Sequence, residues 1–191
     1  MSKIILIDAG HGIDTAGKRS PKWEDGTQLF EWEFNRKLTN LIVAGCEKNG
    51  IRAIKIVPET ADVPLSERCQ RVNRWAKNED CILFSIHANA GGGTGFEVFT
   101  SVGVTESDKV TSALISQFQK DFPEIKIRTD YSDGDADKEA GFYVLKHTIC
   151  PAILVENLFM DYEPDCRLLL NESFCAKLAT SYVECIKSIA R

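Results

Sequence analysis

Three side chains that suit metal chemistry stand at or near the ends of apolar, strand-like segments. His11 lies three residues after the first of these segments, His87 directly after the third, and Glu156 directly after the last. Parallel strands of one sheet bring their carboxyl ends to the same edge, so we expect these side chains to lie close together. Two imidazoles and a carboxylate, with a fourth position left to water, form a known catalytic zinc set.

The carboxylate that would complete such a site is left open by spacing. Glu31 and Glu33 both open the first predicted helix, whose start can direct side chains at a site across the sheet edge. Asp8, Glu24 and Glu97 are further candidates. Glycines flank His11 on both sides, and we expect them to let the backbone turn and to leave the imidazole room to face a ligand.

The segments that must position these residues alternate between strand-like and helix-like patterns. Continuous apolar or alternating runs predict strands at 3–8, 52–57, 81–86, 95–100, 142–145 and 152–155. Apolar residues at helical spacing predict helices at 31–48, 64–77 and 105–121, and a final helical region after Glu163-Pro164. The acidic stretch 129–140 is predicted to be an irregular, solvated loop, with a substrate-binding lid as the alternative.

This alternation indicates an α/β fold, a three-layer sandwich in which helices cover both faces of a single, largely parallel, mixed sheet. The 191 residues are 43% hydrophobic, which is enough for one core. We found no linker and no internal repeat. The sequence therefore predicts one domain over residues 1–191.

Charge and composition argue against several partners. The formal net charge is −5 without a cluster of Lys and Arg, which is unfavourable for binding nucleic acid or an anionic membrane surface. No apolar run has the length of a membrane span or of the core of a signal peptide, so the sequence predicts synthesis in the cytoplasm and any export by another route. The seven cysteines show no C-x-x-C spacing and are predicted to be buried free thiols.

Short motifs spread along the chain resemble the type 3 family of N-acetylmuramoyl-L-alanine amidases. They are KIILIDAGHG at 3–12, EWEFN at 31–35, PLSER at 64–68 with Asn73 downstream, SIHANA at 85–90, FYVL at 142–145 and PAILVE at 151–156. They occur in the family's order and cover essentially the whole chain. The family usually has glycine where Leu158 stands, a departure expected to affect the shape of the pocket rather than the chemistry.

The resemblance implies one Zn²⁺ held by His11, Glu31 and His87, with Glu156 as the glutamate that moves protons. It implies hydrolysis of the amide between N-acetylmuramic acid and the L-alanine of peptidoglycan, as in cell-wall lysis or remodelling by an autolysin or endolysin. A phage or prophage lysin is favoured over a recycling or remodelling enzyme. The oligomeric state is not predicted.

Five further residues have possible roles at or near the site. Asn89 and Glu97 are predicted to bind substrate, Asn89 because it follows His87 closely and Glu97 from its place in the strand 95–100. His147 is expected to have a structural or rim position. A zinc carboxypeptidase, the first alternative function, would need a cationic group for the substrate carboxylate. No arginine is placed beside a motif in a way that suggests such a group, and Arg19 and Arg128 are left as candidates.

The second alternative is a wall-binding module without catalytic activity. Such a protein would be expected to have lost a metal ligand or the glutamate, whereas this chain has the complete set.

Overall fold

A six-stranded mixed sheet forms the centre of the molecule. The computed structural model describes residues 3–132 and 134–190, and within them the strands are β1 Ile4–Ala9, β2 Ala53–Lys55, β3 Cys81–Asn89, β4 Glu97–Thr100, β5 Lys138–Glu139 and β6 Ala152–Phe159. Their order across the sheet is β2-β1-β3-β6-β4-β5. The first four strands in this order, β2, β1, β3 and β6, are mutually parallel. β4 runs antiparallel to β6 and parallel to β5. The predicted mixed, largely parallel sheet is confirmed.

Six helices are present in the described ranges: α1 Glu31–Lys48, α2 Leu65–Ala76, α3 Ser107–Asp121, α4 Tyr143–Lys146, α5 Glu163–Leu170 and α6 Glu172–Ile189. Alternate strand residues point to opposite faces, as the period of a strand requires. One face, which includes Ile7, Phe84 and Val155, joins the large apolar cluster that contains α1, α3 and α6. The other face, which includes Leu6 and Leu83, joins a smaller cluster with α2 and α4. The three-layer arrangement is therefore as predicted.

The prediction of a strand at 142–145 was wrong. Residues Tyr143–Lys146 form the short helix α4, of which only Val144 and Leu145 are buried. A run of four residues rich in β-formers is too short for periodicity to separate strand from helix. Here the contacts of α4 with α2 and β6 decide its conformation, because it covers part of the smaller sheet face.

The stretch 129–140 was predicted to be irregular throughout. Its end instead forms the strand β5. Lys138 and Glu139 pair with Phe99 and Thr100 at the edge of the sheet. The strand escaped prediction because two charged residues carry no apolar alternation. Asp137, just before β5, is buried and accepts hydrogen bonds from the hydroxyls of Thr100 and Thr111, both at 2.7 Å.

Two strands also continue further than predicted, and the final helical region is divided. β3 runs to Asn89 and β6 to Phe159, so His87 and Glu156 lie inside strands rather than after them. At the end of the chain, Asn171 separates α5 from α6 and caps α6, its side chain accepting a hydrogen bond from the backbone N–H of Phe174. In the sequence, the ionisable residues His87 and Glu156 were misread as lying just beyond the strand ends.

Two further observations concern the whole described chain. All seven cysteines are free, and all except Cys150 are buried. Among residues 3–132 and 134–190, none of the helices combines the length and the apolar character that crossing a bilayer requires.

Candidate metal centre and active site

One row of side chains crosses three neighbouring strands and faces the same side of the sheet. His87 of β3 and Glu156 of β6 are register partners, and Glu97 of β4 is the antiparallel partner of Glu156. Directly opposite residues have Cβ atoms about 5 Å apart and share a face. The row therefore sets an imidazole and two carboxyl groups side by side on rigid strands.

Two more side chains complete a cluster of metal-binding donors beside His87. His11 Nε2 lies 3.4 Å from Glu31 Oε1, and His87 Nδ1 lies 3.1 Å from the same oxygen. One ligand atom from each of the three residues lies within 4.8 Å of the others. The structure thus brings together the three residues predicted as ligands, and a single divalent cation could be bound by all of them.

The electrostatics of this cluster suit a cation. Burial acts to raise the pKa of Glu31, but the hydrogen bonds and charges of His11 and His87 outweigh it and hold that pKa well below its ordinary value. Burial acts to lower the pKa of His87, and the hydrogen bond to Glu31 outweighs it, so that this pKa is raised. Opposite shifts of this kind mean that the cluster stabilises positive charge between its donor atoms. The second oxygen of Glu31, Oε2, is buried and has no hydrogen-bond partner in the described part of the chain.

Helix α1 positions Glu31 at its first residue. The backbone N–H of Glu31 donates to the Lys18 carbonyl at 3.0 Å. Asn35, one helical turn later and fully buried, donates from Nδ2 to the Gly10 carbonyl at 3.1 Å and lies 3.5 Å from Glu31 Oε1. Asn35 therefore ties the start of α1 to the loop that carries His11, which orients two of the donors at once.

The backbone of His11 is held in an unfavourable conformation. Its φ of 59° lies in the left-handed region, which costs a non-glycine residue roughly 1–2 kcal/mol. Arg36 Nη1 donates to the His11 carbonyl at 2.8 Å, and Arg68 Nη2 donates to it at 3.4 Å. Arg68 is buried and ion-paired with Asp8 at 2.6 Å. The strain persists because this network of contacts over-determines the position of the loop.

Gly10 was expected to let the backbone turn, but the structure gives it another role. A Cβ atom at Gly10 would lie 2.1 Å from Cε1 of His87. The missing side chain thus makes room for the ring of His87, which approaches from β3, while the sharp turn is made by His11 itself. Any larger residue at position 10 would collide with the His87 ring and displace it.

Glu156 stands beside the donor cluster without belonging to it. Burial raises the pKa of Glu156 to about 7, and the neighbouring charge of His87 acts in the opposite direction. Its Oε2 atom is enclosed and has no hydrogen-bond partner among the residues described. A carboxyl group with such a pKa can both accept and donate a proton near neutral pH.

The residues after Glu156 fix the strand end. Asn157 is buried, donates from Nδ2 to the His87 carbonyl at 2.9 Å and accepts a hydrogen bond from Tyr182 at 2.8 Å. Leu158, which stands where the family usually has glycine, has a φ of 63°. Its side chain is buried in the larger apolar cluster and is absent from the cavity at the site. Leu158 therefore acts on the backbone and the core directly, and its side chain does not line the cavity.

Glu97, one of the two residues predicted to bind substrate, is saturated by partners. Its Oε1 accepts from Lys138 Nζ at 2.9 Å and from Arg128 Nε, and its Oε2 accepts from Asn89 Nδ2 at 2.8 Å. Asn89, the second predicted residue, is thus bound to the first. Glu97 lies beside Glu156 in the sheet, but its carboxylate and the amide of Asn89 face each other.

The other carboxylates that spacing left open do not belong to the donor cluster. Asp8 accepts hydrogen bonds from Arg68 and from Ser85. Glu24 and Glu33 are exposed. His147 is exposed at the end of α4, with its ring stacked on Tyr143 at a centroid distance of 3.9 Å.

A cavity of about 550 Å³ opens above the donor cluster and Glu156. Its other lining residues include polar ones, Thr15, Lys18 and Asp62, and apolar ones, Leu65, Phe142, Tyr143 and Val144. Leu65, Phe142 and Tyr143 are all more than one-third exposed. The cavity could therefore take a substrate with both polar and apolar parts.

Four supporting residues were not predicted as functional. Through their side chains, Asn35 contacts Glu31, Asn157 contacts the His87 carbonyl, and Arg36 and Arg68 contact the His11 carbonyl. The only sequence signal was that each lies in or next to a family motif. The sequence does not indicate which carbonyl group a buried amide or guanidinium will bind.

Comparison with known proteins gives a consistent family. The family model described as N-acetylmuramoyl-L-alanine amidase matches residues 5–188. Among curated relatives, the chain is 28% identical over 178 residues to the N-acetylmuramoyl-L-alanine amidase CwlM of Bacillus licheniformis, covering 93% of this chain and 65% of the relative. It is 31% identical over 193 residues to the endolysin of Bacillus phage SPP1, covering 99% of this chain and 66% of the relative. The chain thus spans just under two-thirds of the length of these relatives.

Solved structures share the fold. The N-acetylmuramoyl-L-alanine amidase from Clostridium difficile 630 superposes with a TM-score of 0.83 at 23% identity, covering 98% of this chain and 96% of that one. The catalytic domain of CwlV from Bacillus (Paenibacillus) polymyxa var. colistinus gives 0.80 at 19% identity, with 97% of both chains covered. With the family model matching from residue 5 to residue 188, this chain belongs to the N-acetylmuramoyl-L-alanine amidase family.

Proposed function

We propose that this chain is a catalytic domain, over residues 1–191, that hydrolyses the amide between N-acetylmuramic acid and L-alanine in peptidoglycan with the help of one Zn²⁺. The observation that carries the proposal is the convergence of His11, Glu31 and His87 within 4.8 Å, beside a glutamate whose pKa is about 7. Two imidazole nitrogens and one carboxylate oxygen suit zinc and leave a coordination position open. The relatives named above include a bacterial N-acetylmuramoyl-L-alanine amidase and a phage endolysin, and both names fit the proposed reaction.

Each residue of the site has a proposed part in this reaction. His11, Glu31 and His87 would hold the ion, whose chemistry at such a site is to polarise the scissile carbonyl and to acidify water. Glu156 takes a proton from the attacking water as the oxygen adds to the carbonyl carbon. It returns that proton to the departing nitrogen as the C–N bond breaks, so that one carboxyl group serves as base and then as acid.

The residues around the site support these proposed roles. Asn35, Arg36 and Arg68 hold the loop of His11 and the carboxylate of Glu31 before substrate arrives, so that little reorganisation is needed. Glu156 shares the cavity with apolar residues, and its burial keeps its pKa high. A protein that only bound cell walls would require none of these features.

The test is digestion of purified peptidoglycan sacculi by the zinc-loaded protein, with the products identified by mass spectrometry. An amidase releases intact stem peptides that begin with L-alanine, whereas a carboxypeptidase shortens stem peptides that remain on the glycan. Chelation should abolish release, and added zinc should restore it. Shortened peptides on intact linkages, or no products at all, would contradict the proposed reaction; release that persists after exhaustive chelation would contradict the zinc.

A further inference from the structure

A second charged cluster lies next to Glu156 on the side away from the metal donors. It consists of Glu97, Asn89, Arg128 and Lys138, and we call it the Glu97 cluster. Glu97 is 3% exposed, and its carboxylate accepts hydrogen bonds from the other three. Two cations and one anion give the cluster a net charge of about +1 at the edge of an otherwise acidic protein.

The Arg128 guanidinium is only partly used within this cluster. Its Nε atom is bound to Glu97, whereas Nη1 and Nη2 have no hydrogen-bond partner within residues 3–132 and 134–190. The side chain is 33% exposed, and its Cζ lies 5.3 Å from the centroid of the Phe159 ring. The guanidinium is therefore held in place on two sides and presents its two-pronged end to solvent.

Lys138 strengthens the same positive edge. Its Nζ lies 2.9 Å from Glu97 Oε1 and 5.8 Å from the centroid of the Phe99 ring, and its side chain is 26% exposed. Arg128 and Lys138 stand at the two ends of the acidic stretch 129–137, so Glu97 ties both ends of that stretch to β4. The two cations are thus fixed by a buried acid rather than mobile at the surface.

We propose that Arg128, supported by Lys138, forms a subsite for a carboxylate of the stem peptide, and that Glu97 and Asn89 position this subsite without contacting the substrate carboxylate. The proposal rests on the amidase reaction proposed above. A planar guanidinium with two free N–H-bearing nitrogens matches a carboxylate through paired hydrogen bonds, and it discriminates against a neutral carboxamide. The carboxylate in question is that of the residue that follows L-alanine.

The spacing supports this assignment. Glu97 and Glu156 are direct register partners, so their Cβ atoms are about 5 Å apart. One to two residues of extended peptide span roughly 3.5–7 Å. A stem peptide whose first amide lies at Glu156 can therefore extend across β4 and place the side group of its second residue at Arg128.

The test uses two N-acetylmuramoyl tetrapeptides that differ only at the second residue, D-isoglutamate in one and D-isoglutamine in the other, both with an amidated carboxyl terminus. Wild-type zinc-loaded protein should favour the carboxylate substrate in kcat/KM by about 10- to 100-fold, the range for one charge-assisted hydrogen-bonded pair. Arg128→Gln should remove this preference, mainly by lowering kcat/KM for the carboxylate substrate. Arg128→Lys should keep part of it, because the charge remains while the paired geometry is lost.

Arg52→Gln is the matched control, because Arg52 is exposed near the start of β2 and pairs with Glu79 at 3.9 Å. It should retain the full preference. Competition by the released tetrapeptides gives a second measurement: the carboxylate peptide should inhibit the wild type more strongly than the carboxamide peptide, and Arg128→Gln should be inhibited equally by both.

The outcomes separate the two proposals. Equal cleavage of both substrates by the wild type, or an equal loss on both in Arg128→Gln, would overturn the carboxylate subsite and leave the amidase reaction intact. Failure of the wild type to release any tetrapeptide that begins with L-alanine would overturn the amidase reaction and the subsite with it.

Discussion

Two buried glutamates lie on either side of Glu156, and their surroundings are opposite. Glu31 faces two imidazoles and retains one buried oxygen without a partner in the described chain. Glu97 faces an amide, an ammonium and a guanidinium, and both of its oxygens are occupied. A neutral imidazole can ligate a metal ion, so the charge of Glu31 can be balanced by a bound cation. The second site already contains its cations.

This difference shows that burial of a carboxylate does not by itself indicate a metal ligand. Both residues are at most 3% exposed, and both stand near the same end of the sheet. The partners decide the role: nitrogen donors that can bind a cation in one case, and fixed cations that neutralise the acid in the other. Four experiments with substituted proteins test this contrast and the site around it.

The largest effect is expected from the pair Glu31→Gln and Glu97→Gln. Glu31→Gln removes the anionic ligand, so the purified protein should contain little zinc and release essentially no stem peptide. Glu97→Gln should keep a full complement of zinc, because Glu97 touches none of the three donor residues. Elemental analysis measures the zinc content of both variants. Similar zinc contents would contradict the different roles of Glu31 and Glu97.

Glu156→Gln should bind zinc normally and lower kcat by about 100- to 10,000-fold, the usual contribution of general acid–base catalysis. The amide keeps the size of the side chain and cannot take up the proton of water. Stopped assays on sacculi with elemental analysis of the same preparation would measure the effect. Near-normal turnover would show that another group moves the proton.

Asn35→Ala should lower zinc affinity by about 10- to 100-fold, the range for residues that orient metal ligands. The variant loses the bridge between Gly10 and Glu31 but keeps all three donors. Asn40→Ala, on the same helix, is the control, because Asn40 is exposed and only accepts a hydrogen bond from Lys55. Competition with a chromogenic chelator measures the affinities, and equal values for the two variants would remove Asn35 from the site.

The smallest effect concerns the backbone that carries Glu156. Leu158 has a φ of 63°, and in this left-handed region a Cβ atom costs conformational energy that glycine avoids. Leu158→Gly should therefore be more stable than Leu158→Ala by about 1 kcal/mol. Both variants should be less stable than the wild type, because the leucine side chain is buried. Urea denaturation gives the free energies of unfolding. An alanine variant more stable than the glycine variant would show that the backbone relaxes there.

Much of this architecture could be predicted from local patterns. The apolar runs indicated four of the buried strands, and helical spacing placed α1 at its observed limits of Glu31 and Lys48. The motifs indicated the four residues on which the proposed chemistry rests. These features were readable because strand and helix periods, and the residues at their ends, are written in consecutive positions. Short elements without such periods, β5 and α4, were missed or misread.

The sequence by itself determined the residue types that reach the carboxyl edge of the sheet and the α/β order that brings them there. It left five acids as candidates for one ligand and gave no reason why Arg128 and Lys138, far from β4 along the chain, should meet at Glu97. Only the tertiary structure decided which carboxylate keeps a buried oxygen unpartnered and which is neutralised. The physical reason is that the environment of a charge depends on strand register and on contacts between distant segments, which no local pattern encodes.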